Sequence, residues 1–152
     1  MVVGLGVDIV EIERMRSALE RHPNMPERLF SADERLYCEQ KARPEVHYAL
    51  RFAAKEAVVK ALGTGFSGIR FRDIEVSRDA KGRPVPVLSG AAEARAAELG
   101  VTEVHLSLSF THTTAVASAV ALTPEARPVP DEAGEDPREE LARRFKEARD
   151  LV

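Results

Sequence analysis

One segment, Arg51-Phe52-Ala53-Ala54-Lys55-Glu56-Ala57-Val58-Val59-Lys60-Ala61-Leu62-Gly63, strings a carboxylate and several cations along what reads as a single helix. Glu56 and Lys60 are four residues apart, so they are neighbours on a helical surface. A carboxylate beside a cation suits a metal ion held against a polyphosphate. It equally suits a solvated salt bridge, which at an exposed site contributes only about 0.3–0.5 kcal/mol. A second acid, Asp8, interrupts the apolar run Gly4-Leu5-Gly6-Val7-Asp8-Ile9-Val10. An unpaired carboxylate among apolar neighbours is costly, so Asp8 must be paired, hydrogen-bonded or metal-bound. Capping the helix that follows is the alternative use of a strand-end acid.

Taken together, GxGxDxxxxxR near the start and RFAAKEAxxKAxG near the middle resemble the holo-acyl-carrier-protein synthases, the small 4'-phosphopantetheinyl transferases. The similarity extends to Phe30-Ser31-Ala32-Asp33-Glu34-Arg35-Leu36-Tyr37, Arg72-Asp73-Ile74-Glu75-Val76, Gly82-Arg83-Pro84 and Val104-His105-Leu106-Ser107-Leu108-Ser109, and so runs from residue 2 to about 122. What the resemblance implies is an α+β fold of the 4'-phosphopantetheinyl transferase type, with an antiparallel sheet packed on a long central helix. The implied reaction passes 4'-phosphopantetheine from coenzyme A to a serine of an apo-acyl carrier protein and releases 3',5'-ADP, serving fatty acid or polyketide biosynthesis. Mg2+ is the implied cofactor, and a homotrimer with sites at subunit interfaces the implied assembly.

Residue by residue, Asp8 and Glu56 match the family's metal carboxylates, and Lys60 its phosphate-facing lysine. Those three form the expected catalytic set. Whether Asp8, Glu56 or a metal-polarised water takes the serine proton stays open on spacing alone. Arg51, Lys60, Gly63, Ser109, Thr111 and His112 are the expected coenzyme A contacts. Lys55 is either a further phosphate contact or part of a solvated helix face. Arg14, Arg21, Met25, Arg28 and Phe52 fall where the family meets the acidic helix of the carrier. The chain departs from the pattern at Phe110, which stands at the family's histidine position, and His112 two residues later is the candidate replacement. Two other classes use the same residues: a carrier- or coenzyme-A-binding protein with weakened transfer, and a Mg-dependent phosphohydrolase built on Asp8 and Glu56.

Composition narrows the field. With 152 residues, 44% of them hydrophobic, the chain can bury a substantial core in one domain. The net charge of −3 comes from the C-terminal end: residues 124–152 carry nine acids and six bases, leaving sixteen of each in the rest. A charge-balanced body with 5% aromatics and no Trp argues against a nucleic-acid-binding module. Cys38 is the sole cysteine, which excludes an intrachain disulfide and points to a reducing compartment. No basic leader precedes the first apolar run, and Asp8 breaks that run long before a membrane could be spanned, so a cytoplasmic protein without membrane contact is expected.

These side chains need positioning elements. A strand over Val2–Val10 would present Asp8, followed by a helix over Glu11–Arg21 with Arg14, Ala18 and Arg21 on one face. Ser31 and Glu34 have capping-box spacing and predict a helix to about Lys41. The central helix should begin at Pro44 and stop at Gly63, with Ala49, Ala53, Ala54, Ala57 and Ala61 permitting close approach to a sheet. A hairpin of Ile74–Arg78 and Val85–Leu88 turns at Asp79–Gly82, a helix spans Ala91–Leu99, and a second hairpin pairs Glu103–Ser109 with Ala115–Leu122. In that last hairpin, alternation sets His105, Ser107 and Ser109 on one face and Val104, Leu106 and Leu108 on the other. The transferase domain thus occupies 1–123, a Pro-rich linker 124–136, and a C-terminal helix 137–152 that lies outside the family core and should dock or fray.

Overall fold

The computed structural model describes residues 1–65, 68–126 and 137–152. Strand β1 (Val2–Glu11) leads directly into α1 (Ile12–Arg21); α2 (Met25–Leu29), α3 (Ala32–Glu39) and the long α4 (Pro44–Ala61) follow. A 3-10 turn (Phe71–Asp73) precedes the hairpin β2 (Ile74–Arg78) and β3 (Pro84–Leu88); then come α5 (Gly90–Glu98), β4 (Glu103–Phe110), β5 (Thr114–Leu122) and α6 (Pro137–Arg149). The sheet order β1-β5-β4 is antiparallel throughout, and β2 pairs with β3 in a separate ribbon. The architecture is the expected α+β arrangement of an antiparallel sheet on a central helix.

Boundaries moved where tertiary pairing overrode local signals. Glu11 stays in β1 because it is still in register with Thr114, so the first helix starts one residue late. The capping box forms as expected: Ser31 Oγ accepts from the Glu34 amide at 3.2 Å, and Glu34 Oε1 accepts from the Ser31 amide at 3.0 Å. Its helix ends at Glu39, short of Lys41. The five-residue α2 was not anticipated, being too short for apolar periodicity to register. Residues 127–136, most of the expected linker, lie outside the described residues. The C-terminal helix forms, with Leu141 and Phe145 of its apolar stripe exposed.

The inner face of the sheet packs on α4 through small residues. Ala53, Ala54, Ala57 and Ala61 on the helix, and Ala115, Ala117, Ala119 and Ala121 on β5, are all essentially buried. Gly4 and Gly6 of β1 take the closest approach: a Cβ on Gly6 would lie 1.8 Å from the Ala57 carbonyl oxygen, and one on Gly4 1.7 Å from that of Ala61. The helix backbone therefore rests on the strand backbone. That contact brings β1 side chains within reach of the same helix's polar face.

On the far side of α4, Lys55 is fully buried. Its ammonium donates to Glu34 Oε1 at 2.8 Å, to the Phe71 carbonyl at 3.0 Å and to the Ile74 carbonyl, while Glu34 Oε2 accepts from the Val76 amide at 3.2 Å. Burial lowers the Lys55 pKa, and the Glu34 carboxylate opposes that shift. All three ammonium donors are used, so the pair ties α3, α4, the 3-10 turn and β2 together. Lys55→Met should cost about 3 kcal/mol, because it strands a buried carboxylate, whereas Glu34→Gln/Lys55→Met should regain part of that loss. Thermal unfolding of both variants checks this; a double variant less stable than the single one would contradict it.

Candidate active site

Asp8 points from the inner face of β1, opposite Ala117, toward α4. Its Oδ1 accepts from Lys60 Nζ at 3.0 Å, and the same ammonium donates to the Val7 carbonyl at 2.9 Å. The Asp8 side chain is 12% exposed and that of Lys60 52%, so the pair sits at the mouth of a cleft rather than in the core. Glu56, one turn before Lys60, shares this corner. Its carboxyl is held above the ordinary glutamate range, first by burial and next by the Asp8 carboxylate, with Lys60 pulling the other way. A carboxyl held up beside a second carboxylate forms a site that a bound cation would relieve.

The cleft has a volume of about 560 Å³, and Glu11, Arg14, Met25 and Phe52 line it together with Asp8 and Glu56. Among the described residues no group of three or more His, Cys, Asp or Glu side chains is arranged to hold a metal. Two carboxylates with open remaining positions fit Mg2+, which takes one or two protein carboxylates and completes its shell with phosphate oxygens and water. They do not fit a closed structural zinc site. Lys60 supplies a mobile point charge suited to phosphate.

Of the residues expected at the site, the structure brings together Asp8, Glu56, Lys60, Arg14, Met25 and Phe52. Gly63, two residues past the end of α4, has φ +75°, and its amide donates to the Lys60 carbonyl at 3.0 Å. Arg21 and Arg28 line an adjoining depression with Met25. Lys55 belongs to neither a phosphate site nor a solvated face. Five residues of helix place it about 140° around the axis from Lys60, which turns it into the core.

Arg51 is also turned away. It is 4% exposed, its guanidinium lies 4.1 Å over the Tyr37 ring, and it lines a second cleft with His47, Arg78, Pro84 and Phe110. Ser109 projects from the outer face of the sheet, in register with Val116 and Ile9, opposite in sense to Asp8. Thr111 Oγ1 accepts from the Thr113 and Thr114 amides at 3.3 and 3.2 Å and so closes the β4–β5 turn, and His112 is exposed on that turn. Within one chain the expected coenzyme A residues therefore fall into two groups, Lys60 and Gly63 beside the carboxylates, and Arg51, Ser109, Thr111 and His112 apart from them.

Sequence reasoning missed Phe71, whose ring stacks on Phe52 at 5.0 Å with an interplanar angle of 27°. The alternation Arg70-Phe71-Arg72 before a strand was its only trace. Cys38 is buried and its thiol is pushed up to about 11 by burial, so it is chemically quiet.

The sequence pattern of the 4'-phosphopantetheinyl transferase superfamily matches residues 4–121. A holo-[acyl-carrier-protein] synthase of Clostridium kluyveri is 49% identical over 121 residues, which cover 79% of this chain and 90% of that protein. Among solved structures, the holo-[acyl-carrier-protein] synthase of Neisseria meningitidis superposes with a TM-score of 0.75 at 34% identity, covering 81% of this chain and all (100%) of that one. That of Bacillus anthracis, solved in complex with CoA (3',5'-ADP), gives a TM-score of 0.67 at 36% identity over 81% and 98% of the two chains. The match spans both carboxylates, Lys60 and every element of the sheet, and so the chain belongs to the 4'-phosphopantetheinyl transferase superfamily, in its holo-acyl-carrier-protein synthase branch.

Proposed function

We propose that Asp8 and Glu56 hold Mg2+ against the pyrophosphate of coenzyme A while this chain performs the reaction of its family. As a holo-acyl-carrier-protein synthase it transfers 4'-phosphopantetheine to a serine of an apo-acyl carrier protein and releases 3',5'-ADP. The observation that carries the metal assignment is the shared corner of Asp8 and Glu56, two neighbouring carboxyl groups lining one cleft with the Lys60 ammonium on Asp8. When bound, Mg2+ would supply Lewis-acid stabilisation of charge developing on the phosphates. Lys60 holds its charge at that position through Asp8 and Val7, ready to transfer it to a phosphate oxygen. Phe52 and Met25 wall the cleft and exclude water from its apolar side.

A homotrimer with composite sites accounts for the division of the coenzyme A residues. On the outer face of the sheet Leu5, Val7 and Ile9 are 69%, 54% and 63% exposed, in register with Val120, Ser118 and Val116 of β5. A contiguous apolar strand face of this kind favours association. Packing copies through that face would let Ser109, Thr111 and His112 of one protomer complete the coenzyme A site of another, while Arg51 stays buried over Tyr37 on the α4 side of the sheet. A metabolic role in lipid biosynthesis and a cytoplasmic location accord with the family; among the described residues no helix is long and apolar enough to cross a membrane.

The test is mass spectrometry of an apo-acyl carrier protein incubated with this chain, coenzyme A and Mg2+. A phosphopantetheine mass gain that requires the metal is expected; free 3',5'-ADP without carrier modification would indicate hydrolysis instead. Lys60→Ala should lower kcat at saturating coenzyme A on the order of 10²-fold, the usual scale for removing one preorganised electrostatic stabiliser. A rise in KM with unchanged kcat would make Lys60 a ground-state binding residue.

A further inference from the structure

Ion pairing is unevenly distributed over the arginines. Arg16 is bound by Glu13 and Glu20, Arg43 by Glu45, Arg83 by Asp79 and Arg95 by Glu98. Arg14, Arg21, Arg28 and Arg72 make no ion pair among the described residues. Arg70, with its side chain 84% exposed, reaches Asp73 only at 3.4 Å, and that carboxylate already accepts from the Arg70 amide at 2.9 Å. Residues 11–28 carry four glutamates and four arginines, but Glu13 and Glu20 are both spent on Arg16, leaving Arg14, Arg21 and Arg28 against Glu11 and Glu27.

These available cations border one basin. Arg21, Arg28 and Arg70 line a depression of about 790 Å³ together with Met25, Leu29 and Phe71. An adjoining hollow continues it past Arg72, where Glu27 and Asp73 are the acids present. Met25 lines both this basin and the catalytic cleft, and Phe71 stacks on Phe52 at the cleft wall, so basin and cleft are continuous.

We infer that Arg70 and Arg72, at the start of and within the 3-10 turn, extend the basic carrier-docking surface beyond Arg21 and Arg28 around the apolar Met25, Leu29 and Phe71, and that they help select which acidic carrier is modified. This rests on the carrier-modifying reading above. A depression lined by three apolar side chains and bordered by several unpaired arginines matches an amphipathic helix with acidic flanks, the chemistry of the carrier. Exposed guanidinium groups at a rim act chiefly on encounter and partner choice, and their effect is screened by salt.

The test is steady-state transfer to a fatty-acid-type apo-acyl carrier protein by Arg70→Glu/Arg72→Glu at low and high ionic strength. At low salt the carrier KM should rise roughly ten-fold, shrinking at high salt, while the coenzyme A KM changes less than about two-fold. Arg70→Lys/Arg72→Lys, which keeps the charge, should restore most of the carrier affinity. Arg72→Ala removes a side chain with no partner to lose, so it preserves the fold and should give a smaller rise in the same direction. An unmoved carrier KM in both the reversal and the alanine variant overturns the inference, as does a rise confined to the coenzyme A KM, which would reassign these arginines to a coenzyme phosphate. Failure of the unmodified chain to load any carrier would remove the carrier reading itself, a result distinct from either.

Discussion

Asp8→Asn and Glu56→Gln are each expected to reduce transfer on the order of 10³-fold or more. Charge stabilisation by a bound metal is worth several kcal/mol, and each 1.36 kcal/mol is a factor of ten. Glu56→Gln should act in the opposite direction on the metal-free fold. Glu56 is half-buried beside Asp8, and both causes that hold its carboxyl up, burial and the neighbouring carboxylate, penalise its charge at neutral pH. Glu56→Gln should therefore unfold at a higher temperature than the unmodified chain in the presence of a chelator. Magnesium should raise the melting temperature of the unmodified chain, since a ligand that binds only the folded state stabilises it, and should do so far less for either variant. Undiminished transfer by either variant at limiting magnesium would be incompatible with the metal assignment, and an equal magnesium-induced rise in all three proteins would place the ion elsewhere.

The second large effect concerns a residue with no side chain. Gly6→Ala sets a methyl group 1.8 Å from the Ala57 carbonyl oxygen, a backbone atom of a buried helix that has no rotamer to change. Ordinary overpacking costs about 1–3 kcal/mol because side chains yield. Here α4 itself must lift from β1, breaking the alanine contacts along its length, and the cost should reach the roughly 4–5 kcal/mol that marks exceptional single substitutions. For a domain of this size that lowers the melting temperature by roughly 15 °C. Gly82→Ala, at φ +77° but in open space, should lose only about 1–2 kcal/mol from backbone strain. If Gly6→Ala melted no lower than Gly82→Ala, the close seating of α4 on β1 would be wrong. The two predictions are linked, because the glycine contact seats α4 on β1 and so brings Lys60 within 3.0 Å of Asp8.

Local signals were legible wherever the chain's own neighbours decide the outcome. Ser31 and Glu34 close their capping box within four residues, Gly63 ends α4 in the left-handed region as only glycine readily does, and β4 alternates as its residue types demand. The proposed catalytic trio stood out for a different reason. Asp8 was an acid in an apolar strand, and Glu56 and Lys60 were a helical i,i+4 pair within a motif shared by a family, so residue type and spacing alone singled them out. The site's dependence on Gly4 and Gly6 was not legible, since a glycine in a strand does not announce what lies against it.

What the tertiary structure decided was rotation and partnership. Helix periodicity states that Lys55 and Lys60 face different ways, but α4 buries apolar residues on nearly every side, its alanines on one and Tyr48, Val58 and Val59 elsewhere, so no single apolar stripe marks which face is inward. Packing against the sheet, the 3-10 turn and β2 settles it: Lys55 becomes a buried tie to Glu34, Arg51 turns to Tyr37, and Lys60 alone of the three reaches Asp8. Charge counting failed on the basic surface for the same reason, because whether an arginine is free depends on which carboxylate lies within reach. Arg16 consumes two glutamates that are near in sequence, while Arg70 and Arg72 reach the basin from residues more than forty positions away from Arg28. Residue types and short-range spacing determined the chemistry available to this chain; the close backbone contact of β1 with α4, which only the folded core can enforce, determined which groups perform it.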